Sequence, residues 1–284
     1  MEFEINKLYN ENCLDTLSRM PDGQLIDLVV TSPPYNELRT YNGYSFDFES
    51  IAKELARVLK PGGVIMWNVA DACVNGSETL TSCKQKIFFV EQCGLNCHDT
   101  MIYQKRNFSH PEKNRYHNVF EYMFIFSKGR PKTFNPIMDR KNITAGQVGN
   151  LGVNTFTMRD GSKSERTKKL TKEFGMRHNV WLGNTRGQEE MCVKLNHPAM
   201  MPNWVAADHI KSWSNAATYD DVNNIINNAD IIYDPFAGSG TSLIQAKLLN
   251  RNWIGSEISK EYCELADGEL AKLDEPKTGQ LDLL

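Results

Sequence analysis

An α/β fold with a mostly parallel sheet follows from three features of this 284-residue chain. Near-continuous apolar runs, such as Ile26–Val30, Val64–Val69 and Ile231–Tyr233, read as strands buried on both faces. Stretches with helical spacing of apolar residues separate them, as crossovers between parallel strands require. Two of the strands run into tight turns, TSPPYN (Thr31–Asn36) and DPFAGSGTS (Asp234–Ser242), and open α/β sheets bind ligands at the carboxyl ends of strands.

The elements follow in order. FEINKLYNENCLDTLSRM predicts a short strand and then an amphipathic helix with Leu14, Leu17 and Met20 on one face. PDG at Pro21–Gly23 marks a turn before the strand IDLVVT. Ser50–Leu59 reads as a helix, with Ile51, Leu55, Val58 and Leu59 at helical spacing, that stops at Pro61–Gly63 before the strand VIMWNV. A helix is expected over Glu78–Gln92, then strands at DTMIYQK and VFEYMFIFSK joined by a polar, basic connection. From Pro131 to about Leu195 periodicity is poor and Gly, Asn, Thr and Lys dominate, which reads as an insertion. HPAMMPNWVAADHIKSW predicts a helix entered through proline, and IIYD the next strand. A helix over Thr241–Leu249, the strand NWIGSEIS and a helix over Lys260–Leu273 complete the pattern. The polar stretch at 215–228 has no assigned role.

Composition sets the class. A 40% hydrophobic and 24% charged chain of this length suits one large globular α/β domain with an inserted module. No apolar run approaches the roughly 20 residues of a membrane span. The opening MEFEINKLYN lacks the regions of a signal peptide, so a cytoplasmic protein is expected. Seven cysteines is an odd number without a CxxC pair, and Cys93 and Cys97 beside His98 lack a second pair, so reduced thiols and no metal site are expected. Net charge is −3, yet Thr100–Arg177 holds 16 Lys or Arg against 6 Asp or Glu. A basic middle on an acidic body fits phosphate contact through one face.

At the glycine turn, Gly238 and Gly240 allow close backbone approach, and the helix that follows offers free N–H groups. Glu257, at the end of the next strand, can accept both ribose hydroxyls of an adenosine-type cofactor. A dinucleotide is the competing ligand, although G-S-G-T departs from GxGxxG. In the other turn, Pro33 and Pro34 carry no N–H and stiffen the chain. The Ser32 hydroxyl and the Pro33 carbonyl can then accept from one NH₂ group, turning its lone pair toward a methyl donor. Tyr35 offers a face on which a base pulled from the duplex can stack.

These motifs resemble the DNA amino-methyltransferases that modify N4 of cytosine or N6 of adenine. NENCLDTL with IDLVVTSPPYN is similar to that family's opening block, and RVLKPGGVIMW to its next strand signature. MIYQKRNFSHPEKNRYHNVFEYMFIFSKG, HNVW, HPAMMP, DPFAGSGTS and NWIGSEIS complete the likeness over most of the chain. The catalytic motif precedes the cofactor motif, which is the circularly permuted order of the family's β group.

The resemblance implies a Rossmann-like seven-stranded methyltransferase sheet with one antiparallel strand. It implies a catalytic half (1–132), a target-recognition insertion (133–195) and a cofactor-binding half (196–284). Ser32, Pro33, Pro34 and Tyr35 would form the catalytic turn. Asp234, Phe236, Ala237, Gly238, Ser239, Gly240 and Thr241 would line S-adenosylmethionine, with Glu257 on the ribose and His197 and Pro198 near the methionine end. Relatives often carry an aspartate near the adenine, where this chain has Asn12 and Cys13. Lys163, Arg166, Lys168, Lys169 and Lys172 would meet phosphates of double-stranded DNA. A homodimer and a cognate restriction endonuclease are the further partners implied. Within the family SPPY leans toward N4-cytosine, with N6-adenine the alternative. C5 methylation needs a Pro-Cys nucleophile that this chain lacks. Protein-glutamine methyltransferases are a distant alternative, since they place the cofactor motif first. A nucleotide-binding oxidoreductase would leave TSPPYN unexplained, and a binder with a decayed site is for an assay to decide.

Overall fold

The computed structural model describes residues 4–34, 46–107, 113–147, 155–165, 170–183, 201–219 and 225–274. They fall into two compact units, 1–135 with 179–284, and 136–178.

Along the chain, β1 (Lys7–Tyr9) leads to α1 (Cys13–Ser18), whose first turn is capped by Asn12 accepting the Leu14 N–H at 2.9 Å. β2 (Ile26–Thr31) is buried at every position, as a central parallel strand must be. α2 (Phe48–Val58) is capped by Asp47 and buries Ile51, Ala52, Leu55 and Val58. β3 (Leu59–Val69) begins directly after it, so the PGG sequence lies inside a strand rather than ending a helix. Gly62 makes this possible: at φ +77° a Cβ there would lie 2.9 Å from the Lys132 Cβ, and its N–H and carbonyl bond Lys128 and Lys132.

A tight hairpin of β4 (Cys73–Val74) and β5 (Ser77–Glu78) follows, which delays α3 to Thr81–Glu91. The two expected strands are β6 (Asn96–Lys105) and β7 (Phe120–Ser127), and they pair antiparallel. In the smaller unit, β8 (Arg140–Lys141) pairs with β11 (Phe174–Gly175), and β9 (Thr155–Thr157) with β10 (Lys163–Glu165). Arg177 holds Asp139 at 3.0 Å there. β12 (Val180–Gly183), α4 (Asn203–Trp213), β13 (Thr218–Tyr219), β14 (Ile225–Asn227), β15 (Ile231–Asp234), α5 (Thr241–Leu248), β16 (Asn252–Ser256) and α6 (Lys260–Lys272) complete the larger unit. The polar stretch after α4 therefore contains a short antiparallel ladder, β13 with β14.

The large sheet has the order β1-β16-β15-β2-β3-β7-β6-β12. Among the described strands of this sheet only β7 runs antiparallel to its neighbours. Among the described residues the sheet has eight strands, one more than the resemblance implies. The additional strand is β12, which lies within 133–195 by sequence yet pairs with the outer edge of β6, Val180 opposite Ile102. It satisfies backbone groups that an edge strand leaves open.

Helices cover both faces. Trp67 meets Phe48 of α2 and Phe89 of α3 at 6.0 and 5.2 Å between ring centres. On the opposite face the Met123 sulfur meets His209 of α4 at 3.3 Å. At the amino ends of the strands, Asp27 is 1% exposed and accepts from Lys60 at 2.8 Å and from the Ile231 N–H at 2.9 Å. That carboxylate ties β2 to β15 at the end of the sheet away from their carboxyl-terminal turns.

Candidate active site

β15 and β2 lie side by side, Tyr233 opposite Val29. The chain leaves β15 through α5 toward β16 on one side, and leaves β2 through α2 toward β3 on the other. The connections diverge at this point, so a crevice opens outside the carboxyl ends of the two strands. A cavity of about 400 Å³ lies there, within the roughly 300–1,000 Å³ typical of small-molecule sites.

Ser32, Pro33 and Pro34 line this cavity together with Asp234, Phe236, Ala237, Gly238, Ser239 and Thr241. Asn12, Cys13 and Glu257 line it too. Two turns far apart in the chain thus share one space, and a hydrogen bond joins the strands that lead into them: the Thr31 hydroxyl donates to Asp234 Oδ1 at 2.6 Å, across 203 positions. The same oxygen accepts the Phe236 N–H at 3.0 Å, which shapes the turn after β15. Asp234 is buried, and loss of hydration pushes its carboxyl up to about 6, against the lowering effect of the Thr31 and Phe236 donors.

Gly240 takes φ +86°, and a Cβ there would lie 2.9 Å from the Ala266 Cβ, so this turn needs glycine both for its conformation and for the packing of α6. Glu257 closes the turn from the neighbouring strand. Its Oε2 accepts the Gly238 N–H at 2.9 Å, and its Oε1 accepts the Ser259 N–H at 2.8 Å. Burial holds this carboxyl above the ordinary glutamate range. Each oxygen has a second lone pair, so the group keeps capacity for two hydroxyl donors.

Asn12 contributes as the cap of α1, its side-chain oxygen engaged with Leu14. Cys13 is buried, which pushes its thiol up to about 12 and leaves a neutral, apolar lining group. Tyr35, His197 and Pro198 lie outside the described residues, as do Arg166, Lys168 and Lys169. Lys163 lies in β10 of the smaller unit, and Lys172 is exposed in that unit.

The cavity also takes lining from residues that the sequence reading did not single out. Phe46 meets Phe236 edge-on at 5.5 Å between ring centres, and Ile51, Met201, Ser242 and Tyr262 close other walls. Glu11 lines it as well, held by the Thr16 hydroxyl at 2.6 Å and by Arg19. Met201 and Glu11 adjoin motif residues in the chain, which is a signal; Phe46 and Ile51 carry none, because only tertiary packing brings them there.

A family model described as DNA methylase, of the N6/N4 group, matches residues 26–268. The orphan methyltransferase M.BamHII of Bacillus amyloliquefaciens is 50% identical over 248 residues, spanning 86% of this chain and 88% of that relative. The solved structure of PvuII DNA methyltransferase (cytosine-N4-specific) superposes with a TM-score of 0.65 at 17% identity, over 96% of this chain and 88% of that one. The M1.HpyAVI–SAM complex superposes with a TM-score of 0.58 at 18% identity, over 92% of this chain and 98% of that one. At such identities the structural likeness speaks for the fold; the sequence match carries more, and the chain belongs to the N6/N4 DNA methylase family, enzymes that depend on S-adenosylmethionine.

Proposed function

We propose that this methyltransferase modifies N4 of cytosine, flipped from double-stranded DNA into the site. The observation that carries the reading is that the SPP turn and the glycine turn open on one cavity, with the acceptors of Ser32 and Pro33 beside the cofactor's place. The residues fit the cofactor. A cradle of glycine backbone, the Glu257 carboxylate and the Phe236 ring suit an adenosine, and the buried Asp234 charge suits a cation. When bound, S-adenosylmethionine supplies an electrophilic methyl on a sulfonium.

The chain's own part is positioning, an effect worth about 7–11 kcal/mol in favourable cases. Ser32 and the Pro33 carbonyl accept the two amine N–H groups, and Tyr35 stacks on the ring. The nitrogen lone pair then faces the methyl. A neutral serine turn suffices, because the amine keeps its protons until the new bond forms. Serine at the head of the turn and the cytosine-N4-specific name of the PvuII relative favour cytosine over adenine. Nucleoside mass spectrometry of unmethylated DNA after incubation with the protein and cofactor tests this. N4-methylcytosine supports the assignment, and N6-methyladenine overturns the choice of base.

Residues 133–195 serve in this reading as the target-recognition segment, between a catalytic half (1–132) and a cofactor half (196–284). Lys163, Arg166, Lys168, Lys169 and Lys172 contact phosphates. Replacing Lys168 and Lys169 by alanine is expected to weaken DNA binding and to reduce the salt slope by about 1.8, or 0.9 per lost contact. An unchanged slope in a salt titration would remove them from the interface. The M.BamHII relative is named an orphan, and by analogy this chain acts without a dedicated endonuclease. A homodimer is the assembly expected of it, for light scattering to check. Among the described residues no helix is long and apolar enough to cross a membrane.

Cofactor affinity should depend on pH through Asp234. Its carboxyl titrates at about 6 in the folded chain, above the ordinary aspartate value of about 3.9. Between these values the folded chain holds a proton that the unfolded chain has lost, so this group's contribution to stability falls as pH rises through the window. A cationic ligand prefers the ionised form. Affinity should therefore rise about tenfold from pH 5 to 7.5, with proton release on binding below pH 6. Calorimetry in two buffers of different ionisation enthalpy reads that proton, and a flat affinity with no release would exclude Asp234 from the linkage.

A further inference from the structure

Asn68 stands at the carboxyl end of β3, directly after Trp67, the parallel partner of Thr31. It is therefore level with the start of the Ser32 turn, one strand over. Its cross-strand partner is Met123, and Glu121 lies two residues away on the same face of β7. Asn68 is 2% exposed. Its Nδ2 donates to Glu121 Oε2 at 2.6 Å, and Glu121 Oε1 is paired with the Lys105 ammonium at 2.5 Å.

This chain of contacts determines how the amide is turned. A carboxylate in an ion pair only accepts hydrogen bonds, so it must face the NH₂ end of the asparagine. The carbonyl Oδ1 then points the other way, and it is buried without a hydrogen-bond partner among the described residues. Buried acceptors are nearly always satisfied, and one that the protein leaves open calls for a donor from outside.

We propose that Asn68 is a substrate-binding residue: its Oδ1 accepts an N–H of the target amine once the base is seated at the Ser32 turn. It shares with Ser32 the proton that the Pro33 carbonyl does not take, so both N–H groups are held while the lone pair faces the methyl. Glu121 and Lys105 are positioning residues that keep the amide from flipping. Once the base is seated, its amine supplies the donor that no described residue gives this acceptor. The inference rests on amino-methyl transfer to DNA but not on cytosine, since either base presents the same two N–H groups.

The test uses the full-length protein and DNA duplexes bearing its mapped target, with the target base intact or replaced by its amine-free analogue (2-pyrimidinone for cytosine, purine for adenine). Asn68→Ala should weaken binding to amine-bearing DNA, and slow single-turnover methylation, by about tenfold. Its affinity for amine-free DNA and for the cofactor should match the native values. Should Asn68→Ala fail to fold, Glu121→Gln takes its place: a neutral amide partner lets Asn68 flip, and the same loss confined to amine-bearing DNA is expected. Equal losses on both duplexes would mean a structural role and overturn the proposal, as would no loss on either. A native protein that methylates no amine in DNA would overturn the functional reading beneath it.

Discussion

Asp234→Ala is expected to lower cofactor affinity by at least about 100-fold, to below detection by calorimetry, because it removes a buried charge and two charge-assisted hydrogen bonds together. The Thr31 hydroxyl and the Phe236 N–H would each lose their acceptor. A buried donor left unpaired costs about 1–3 kcal/mol, so the thermal midpoint should fall as well. Asp234→Asn separates the two effects. It keeps an oxygen for Thr31 and Phe236 and removes a charge that burial disfavours, so its stability at neutral pH should equal or exceed the native value. It should nevertheless bind the cofactor at least about tenfold more weakly, having lost the opposite charge to the cation. If the asparagine variant bound as well as the native chain, the charge would have no part in cofactor binding and Asp234 would be a structural staple between β2 and β15.

Tyr35→Ala should show the opposite pattern. Base stacking on an aromatic ring is worth about 1–3 kcal/mol, so methyl transfer at subsaturating DNA should fall between about fivefold and a hundredfold. Cofactor affinity should stay within twofold or so, since the stacking interaction exists only with the base in place. A titration in which Tyr35→Ala bound the cofactor tenfold worse would show that the two turns do not divide their tasks as argued. Together the two residues predict a double dissociation: one variant that cannot load cofactor, and one that loads it but handles the base poorly.

Much of this architecture is legible in the amino-acid sequence. The strands at Ile26–Thr31 and Ile231–Asp234 are announced by apolar runs, and their turns by prolines and glycines, because those signals act on the backbone within a few residues. The placement of Glu257 beyond the following strand is likewise a matter of chain length and alternation of elements. Local rules misjudged the PGG of Pro61–Gly63: read alone it stops a helix, yet the 128–132 segment offers it partners and it becomes part of β3. The four-residue β12, which pairs with the edge of β6, has no pattern of its own in the sequence.

The amino-acid sequence by itself determined the kind of sheet, the two ligand turns and the chemical character of each. Only the tertiary structure decided that Thr31 bonds Asp234, that Gly238 and Ser259 share Glu257, that Phe46 walls the cavity, and that Asn68 is held by Glu121 with its carbonyl left open. The physical reason is the range of the forces involved. Turn and periodicity signals depend on neighbours within about one helical turn. A hydrogen bond between side chains 203 residues apart depends instead on sheet order and register, which are set when all the strands pack at once.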